Sequence, residues 1–222
     1  MARGMTFGTY DTAANLWTLS EGWALSPAQY VENLVDVPGR VAGPLDLAEA
    51  LTDGEPVFTS RTLTAGFESS EGRRTERKTR IDSMVNQLQG RRVQITLPDD
   101  PDHYLTGRLT VTELYNDLAH CAVQVDAVCE PWKYAKAETV VNLTAAAADK
   151  KVKLVNTGRM TVCPTLTITG ADAQIMLTFG GYSAALAAGT HKLPDLQIPT
   201  GGLELTYSGS GTIKIHYREA KL

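Results

Sequence analysis

His120 and Cys121 stand side by side, with Cys129 further along the same stretch, a set of donors that zinc accepts. On a strand, neighbouring side chains point to opposite faces, so His120 and Cys121 do not readily share one ion. Cys121 and Cys129 share a face but lie ~26 Å apart along an extended strand. Neither a CxxC nor an HExxH spacing occurs, so no metal site is expected and the cysteines read as buried apolar side chains. The carboxylates Asp99, Asp100 and Asp102 have the types for acid–base work. They sit in the turn-like run PDDPD, without the apolar surroundings that raise a carboxyl pKa, so a solvated loop is expected. The run VPGRVAGPLDL, Val37 to Leu47, sets Gly and Pro on both sides of Arg40. A phosphate-cradling loop needs Lys and then Ser or Thr after its second Gly, whereas Gly43 is followed by Pro44 and Leu45. No GxSxG nucleophile turn is present, and His103, His120, His191 and His216 are scattered. No catalytic constellation emerges, and neither an enzyme nor a cofactor is expected.

The one concentrated run of charge is Arg73, Arg74, Arg77, Lys78 and Arg80, interleaved with Glu71 and Glu76. Such mixing fits a solvated face or an ion-paired protein interface. Nucleic-acid binding is the competing reading, but the surrounding residues are net acidic. Arg40, Arg73, Arg74, Arg77 and Arg80 are therefore carried forward as candidate oligomer-interface residues.

The elements that must position these residues are mostly strands. EPVFTSRTLTAGFE is rich in Thr and alternates, which predicts a strand. RRTERKTRIDSMVNQLQG breaks the pattern: Ile81, Met84, Val85 and Leu88 recur at helical spacing and Gly90 follows as a stop. RRVQITL, the run around Leu109 and Val111, and AHCAVQVDAVC alternate again and predict successive antiparallel strands. Earlier, YVENLVDVPG and GPLDLAEAL read as short strands punctuated by turns. From about Lys136 the chain becomes a series of short strand-like runs: TVVNLTAA, KKVKLVNTG, CPTLTITG, AQIMLTFGG, HKLPDLQIP, GGLELTYSGSG and TIKIHYREAKL. That spacing is typical of a β-sandwich.

Composition agrees with a break there. Of 222 residues, positions 1–135 hold 12 Lys and Arg against 19 Asp and Glu, while positions 136–222 hold 9 against 6. The whole chain carries −4, which disfavours bulk attraction to DNA. The first residues lack the apolar core of a secretion signal, and no apolar run approaches the ~20 residues of a membrane-spanning helix. Three cysteines imply no disulfide framework. All three Trp precede residue 136, which leaves a sugar-binding second unit only Phe179, Tyr182, Tyr207 and Tyr217 as platform candidates.

Several segments in order carry a resemblance: VDVPGRVAGPLDL, SMVNQLQGRRVQITLPDDPDHYLTGRL, VQVDAVCEPWKYAK and the ending LPDLQIPTGGLELTYSGSGTIKIHYREAKL. Together they resemble the distal tail proteins, or Dit proteins, of long-tailed bacteriophages, over nearly the full length. The acidic residue usual after Pro-Gly-Arg is Val41 here. The resemblance implies a mainly-β fold. Residues 1–135 would form an N-terminal β-sandwich-type ring-forming domain with one helix and a long hairpin, and residues 136–222 a C-terminal galectin-like β-sandwich. It implies a non-enzymatic hub: a hexameric ring, single or stacked, at the distal end of the virion tail, assembled in the host cytoplasm. Such a ring joins the tail tube protein to the tip or fibre protein and the receptor-binding apparatus. In that setting Arg40 either pairs with a carboxylate, across subunits or within its own chain, or is an exposed turn charge, and an acidic first unit keeps passing DNA from sticking. The alternative is a carbohydrate-binding adsorption protein that uses the second unit.

Overall fold

In the structure, a computed structural model, residues 4–36, 38, 44–48, 50, 52 and 54–222 are described. Arg40 and most of the VPGRVAGPLDL turn lie outside the described residues. The chain divides into a unit of residues 1–133 and a unit of residues 134–222.

In the first unit, β1 (Thr6–Phe7), β2 (Tyr10–Asp11), β3 (Thr18–Leu25), β4 (Leu34–Val35), β5 (Leu45–Asp46) and β6 (Arg61–Ser69) precede α1 (Arg74–Leu88). After the helix come β7 (Arg92–Leu97), β8 (Asp100–Asn116) and β9 (Cys121–Cys129). One antiparallel sheet runs β2-β1-β7-β8-β9-β6-β3, while β4 and β5 pair only with each other. The alternation seen in sequence is the alternation of burial: Leu63, Ala65 and Phe67 of β6 point inward, as do Val123, Val125 and Ala127 of β9. The helix connects β6 to β7 and packs Ile81, Met84 and Leu88 into the same core, as its periodicity requires. Trp17 belongs to the same core, fully buried, with its indole N–H donating to the Tyr10 hydroxyl at 3.0 Å.

PDDPD is shorter as a turn than its composition predicts. Only Pro98 and Asp99 turn, and Asp100 already pairs with Leu97 in the β7–β8 ladder. Asp100 is not solvated either: its side chain is 20% exposed, sits 2.7 Å from His103 Nδ1 and 3.8 Å from Lys133 Nζ. Two neighbouring positive or hydrogen-bonding partners explain why a carboxylate stays in a strand there.

β10 (Lys133–Ala135) spans the division, and after it come β11 (Thr139–Thr144), β12 (Lys150–Leu154), β13 (Thr165–Phe179), β14 (Tyr182–Ala187), β15 (Gly189–Lys192), β16 (Leu203–Tyr217) and β17 (Ala220–Lys221). Two pairs of runs that read as separate strands are each one long strand. CPTLTITG and AQIMLTFGG form β13, and GGLELTYSGSG and TIKIHYREAKL contribute β16. The long strands pair antiparallel and are bent where Thr169↔Thr212 gives way to Gln174↔Ser210. β13 spends three more residues than β16 between those pairs. An odd excess reverses which side chains face inward. Leu166 and Ile168 are buried before the bend, and Ala173, Ile175 and Leu177 after it, while β16 keeps Leu205, Ile213 and Ile215 inward throughout. Each long strand therefore serves two layers. One half of the hairpin is flanked by β11 and β15, the other by β12 and β14. Residues of both halves share one core, which is how a single bent sheet becomes a sandwich.

Glycine makes the bend possible. Gly170, Gly209 and Gly211 have φ of 143°, 118° and 115°, values that side chains other than hydrogen resist. At Gly211 a Cβ would stand 2.8 Å from both Ala173 Cβ and Thr169 O. The loop before β13 is held by Asn156, 1% exposed, whose amide donates to Met160 O at 2.9 Å and Ile198 O at 3.0 Å and accepts from Gly158 N at 3.0 Å.

Cys121 and Cys129 are free and buried, as expected for apolar cysteines. Burial pushes the Cys129 thiol up to about 11. Between pH 9 and 11 the unfolded thiol ionises while the folded one keeps its proton, so this group takes stability away as pH rises. In a labelling time course at neutral pH, the half-buried Cys163 is expected to react with a thiol reagent first, and Cys129 only at the rate of unfolding. Equal labelling rates for all three would contradict the packing.

Candidate functional site

The candidate site is built by the start of α1 and the free end of the β8–β9 hairpin. Arg73 precedes the helix, and its backbone N–H donates to Glu76 Oε2 at 2.7 Å, which satisfies one of the open donors of the first turn. The acidic side chain there also suits the positive end of the helix dipole. This anchoring places Arg73 and Arg74 outward, both exposed.

The other arginines of the cluster point elsewhere. Arg77 is 2% exposed, contrary to the expected exposed charged face. Its Nη1 donates to Gly72 O at 2.5 Å, and its Nη2 donates to Asp117 O at 2.9 Å and Leu118 O at 3.0 Å. Arg77 is thus a strut between the helix and the hairpin end, and it is not available to a partner. Arg80 is half-buried, and its Nη1 donates to Ser69 Oγ at 2.6 Å and Glu71 O at 3.3 Å. Lys78 lies between Asp82 Oδ1 at 2.8 Å and Glu113 Oε2 at 2.9 Å. These bonds, Asp82 first, push its ammonium up to about 12. Of the five interface candidates, only Arg73 and Arg74 are placed as free surface charges, and Arg40 is outside the described residues.

The hairpin end supplies what sequence reasoning missed. Past Val111 the strand β8 leaves the core, and Leu114, Tyr115 and Leu118 are 53%, 43% and 89% exposed. Leu114 is an extra residue in the ladder between Glu113↔Val123 and Tyr115↔Ala122, so the strand end twists away from the sheet. Asp117 closes the turn: its Oδ1 accepts from His120 N at 2.6 Å and Ala119 N at 2.7 Å. Those bonds, His120 first, hold the Asp117 carboxyl below its ordinary value. The available signal was in TELYNDLAH, where Leu114, Tyr115 and Leu118 cannot all lie on one face of a strand. Arg74 and Asn116 link the two elements, since the Asn116 amide donates to Arg74 O at 3.3 Å. The resulting surface carries exposed cations beside exposed apolar side chains, a composition suited to protein contact.

Chemistry of other kinds finds no matching geometry among the described residues. No three His, Cys, Asp or Glu side chains come together in a way that could hold a metal ion. No helix is long and apolar enough to cross a membrane. In the second unit Tyr207 and Tyr217 are buried, Phe179 is 5% exposed, and Tyr182 alone of the four aromatics stands out at 58%. A flat aromatic platform for sugar rings is not formed by these residues.

No protein-family model matches the sequence, and no curated protein shows a significant match to it. Among solved structures, the chain is similar to the crystal structure of SPP1 Dit (gp 19.1), described as a paradigm of the hub adsorption apparatus in phages infecting Gram-positive bacteria. The two share 16% sequence identity at a TM-score of 0.66, over 99% of this chain and 99% of that one. The match runs along nearly the whole of both chains, so the mainly-β fold of this chain is that shared with a phage Dit protein.

Proposed function

We propose that the chain is a structural distal tail protein, a hub of the tail tip in a long-tailed phage or related particle. The observation that carries this reading is the shared fold along both whole chains with a hub adsorption protein. The Dit-like motifs, found in the same order in the sequence, support it. In this reading an N-terminal domain, residues 1–135, closes a ring of six copies. Residues 136–222 form a galectin-like β-sandwich directed to the adsorption machinery. The partners are the tail tube protein, the tip or fibre protein and the receptor-binding protein, and the site of action is the distal end of the virion tail, after assembly in the host cytoplasm. A ring needs a heterologous contact repeated around a closed axis, and no bond-making chemistry. Exposed Leu114, Tyr115 and Leu118 beside Arg73 and Arg74 fit one side of such a contact. The acidic balance of the first unit suits a passage that does not hold DNA.

Native mass by light scattering across a concentration series, with negative-stain images of the same samples, tests the proposal. Sixfold rings are the expected result, and Arg40→Ala is expected to shift the assembly toward smaller species. A monomer that stays monomeric even when co-expressed with tail tube and tip proteins would overturn the ring.

A further inference from the structure

β14 ends one layer of the second unit. Its sequence, Tyr182-Ser-Ala-Ala-Leu-Ala187, contains no charge and no proline. The opposite edge of the same layer, β12, carries Lys150, Lys151 and Lys153, the usual protection of an open edge against strand addition. β14 lacks that protection.

The hairpin fixes which of its backbone groups are open. β13 and β14 are joined by Gly180 and Gly181 with φ of 51° and 85°, a two-residue primed turn. Such a turn is closed by a pair that exchanges both backbone bonds, here Phe179↔Tyr182. Alternate pairs follow the same pattern, so Ala184 and Leu186 also face β13. Ser183, Ala185 and Ala187 therefore direct their backbone N–H and C=O away from the sheet. The Ala187 carbonyl lies 2.9 Å from His191 Nε2. Among the described residues, no other backbone group pairs with the outer side of this strand.

We propose that β14 pairs antiparallel with β14 of a second copy of this chain, about a two-fold axis through Ala185. The geometry selects this register. A two-fold axis perpendicular to a sheet keeps each face on its own side, so residues of like parity must oppose one another. Centring on Ala185 places Ala185 opposite its own copy and Ser183 opposite Ala187, all outward-bonding residues with small side chains. On the inner side Ala184 meets Leu186. The pairing buries no charge, and at each end the Ser183 N–H of the second copy takes the Ala187 carbonyl over from His191, whereas a like contact through β12 would oppose lysines. This contact is isologous and cannot close a sixfold ring, so it stands independently of the ring proposal and would join two assemblies face to face.

The test uses the full chain and two variants, Ala185→Lys and Ala185→Pro. The lysine opposes itself across the two-fold, and the proline removes an outward N–H without touching the bonds to β13. Light scattering is expected to show wild-type protein doubling the mass of its basic assembly as concentration rises. Both variants should need at least about tenfold higher concentration to do so. Lys151→Ala, at the other edge, should leave the doubling unchanged. A wild-type protein that never doubles, or doubling that survives both variants, overturns the pairing. So does protection of the Ser183 and Ala185 amides from exchange only when another tail protein is bound. Unpaired sixfold rings would refute this contact and spare the ring, while Ala185-sensitive dimers of a monomer would do the reverse.

Discussion

Gly209→Ala is expected to lower the thermal midpoint of the second unit by roughly 15 °C, on the order of 3 kcal/mol for a unit of this size. Gly209 has φ of 118°, a conformation in which a Cβ is strained wherever it points. Here it would also press on β13, standing 3.0 Å from the Gln174 carbonyl carbon and closer still to its oxygen. Both obstacles are backbone, so no rotamer change relieves them. The strand can yield only by breaking register at the bend, where Gln174↔Ser210 resumes the ladder. The first unit has a core of its own, and its transition should stay in place. Differential scanning calorimetry resolves the two. A midpoint within two or three degrees of wild type would mean that the bend tolerates a side chain, and the account of the two layers would fail with it.

Arg77→Ala is expected to cost about 3 kcal/mol in the first unit, because a buried charged donor with several acceptors is lost at once. The carbonyls of Gly72, Asp117 and Leu118 lose their shared donor, and the start of α1 loses its tie to the hairpin end. Arg77→Lys should recover little of this. A point ammonium cannot reach in two directions as the planar fork does. Urea denaturation followed by circular dichroism gives the magnitude. Hydrogen exchange locates the effect, with faster exchange of the amides of residues 117–120 than of the core strands. If the alanine variant unfolds at the wild-type urea midpoint, Arg77 is not a strut. If the hairpin end is also part of the ring contact, Arg77→Ala should weaken assembly without Arg77 touching a neighbour.

The helix and the middle strands were legible because their burial is one-sided. Ile81, Met84 and Leu88 mark one face of α1, and Cys121, Val123, Val125 and Ala127 mark one face of β9, so the period in sequence is the period in space. The long strands were not legible. Gly170 and the Gly209/Gly211 pair read as interruptions, and a glycine in sequence does not distinguish a turn from a bend inside a continuing ladder. Arg77 was misplaced for a related reason. An arginine among charged neighbours at the start of a helix looks solvated, and only the hairpin end returning from residues 117 and 118 turns it into an interior group. Asp100 follows the same logic through His103 and Lys133. The apolar hairpin end was overlooked because its side chains obey no single face.

One consequence of the shared hairpin concerns how the second unit comes to exist. β13 and β16 meet from Thr165↔His216 to Thr178↔Thr206, and every other strand of the two layers is attached to one of them. Neither layer has a centre until that long-range zipper closes, so there is no stage at which one layer stands finished and waits for the other. The search for the register is slow, because the intervening chain must be looped first. Once it is found, both layers are committed in the same step. A nascent copy still on the ribosome, with β16 not yet made, has no second unit at all.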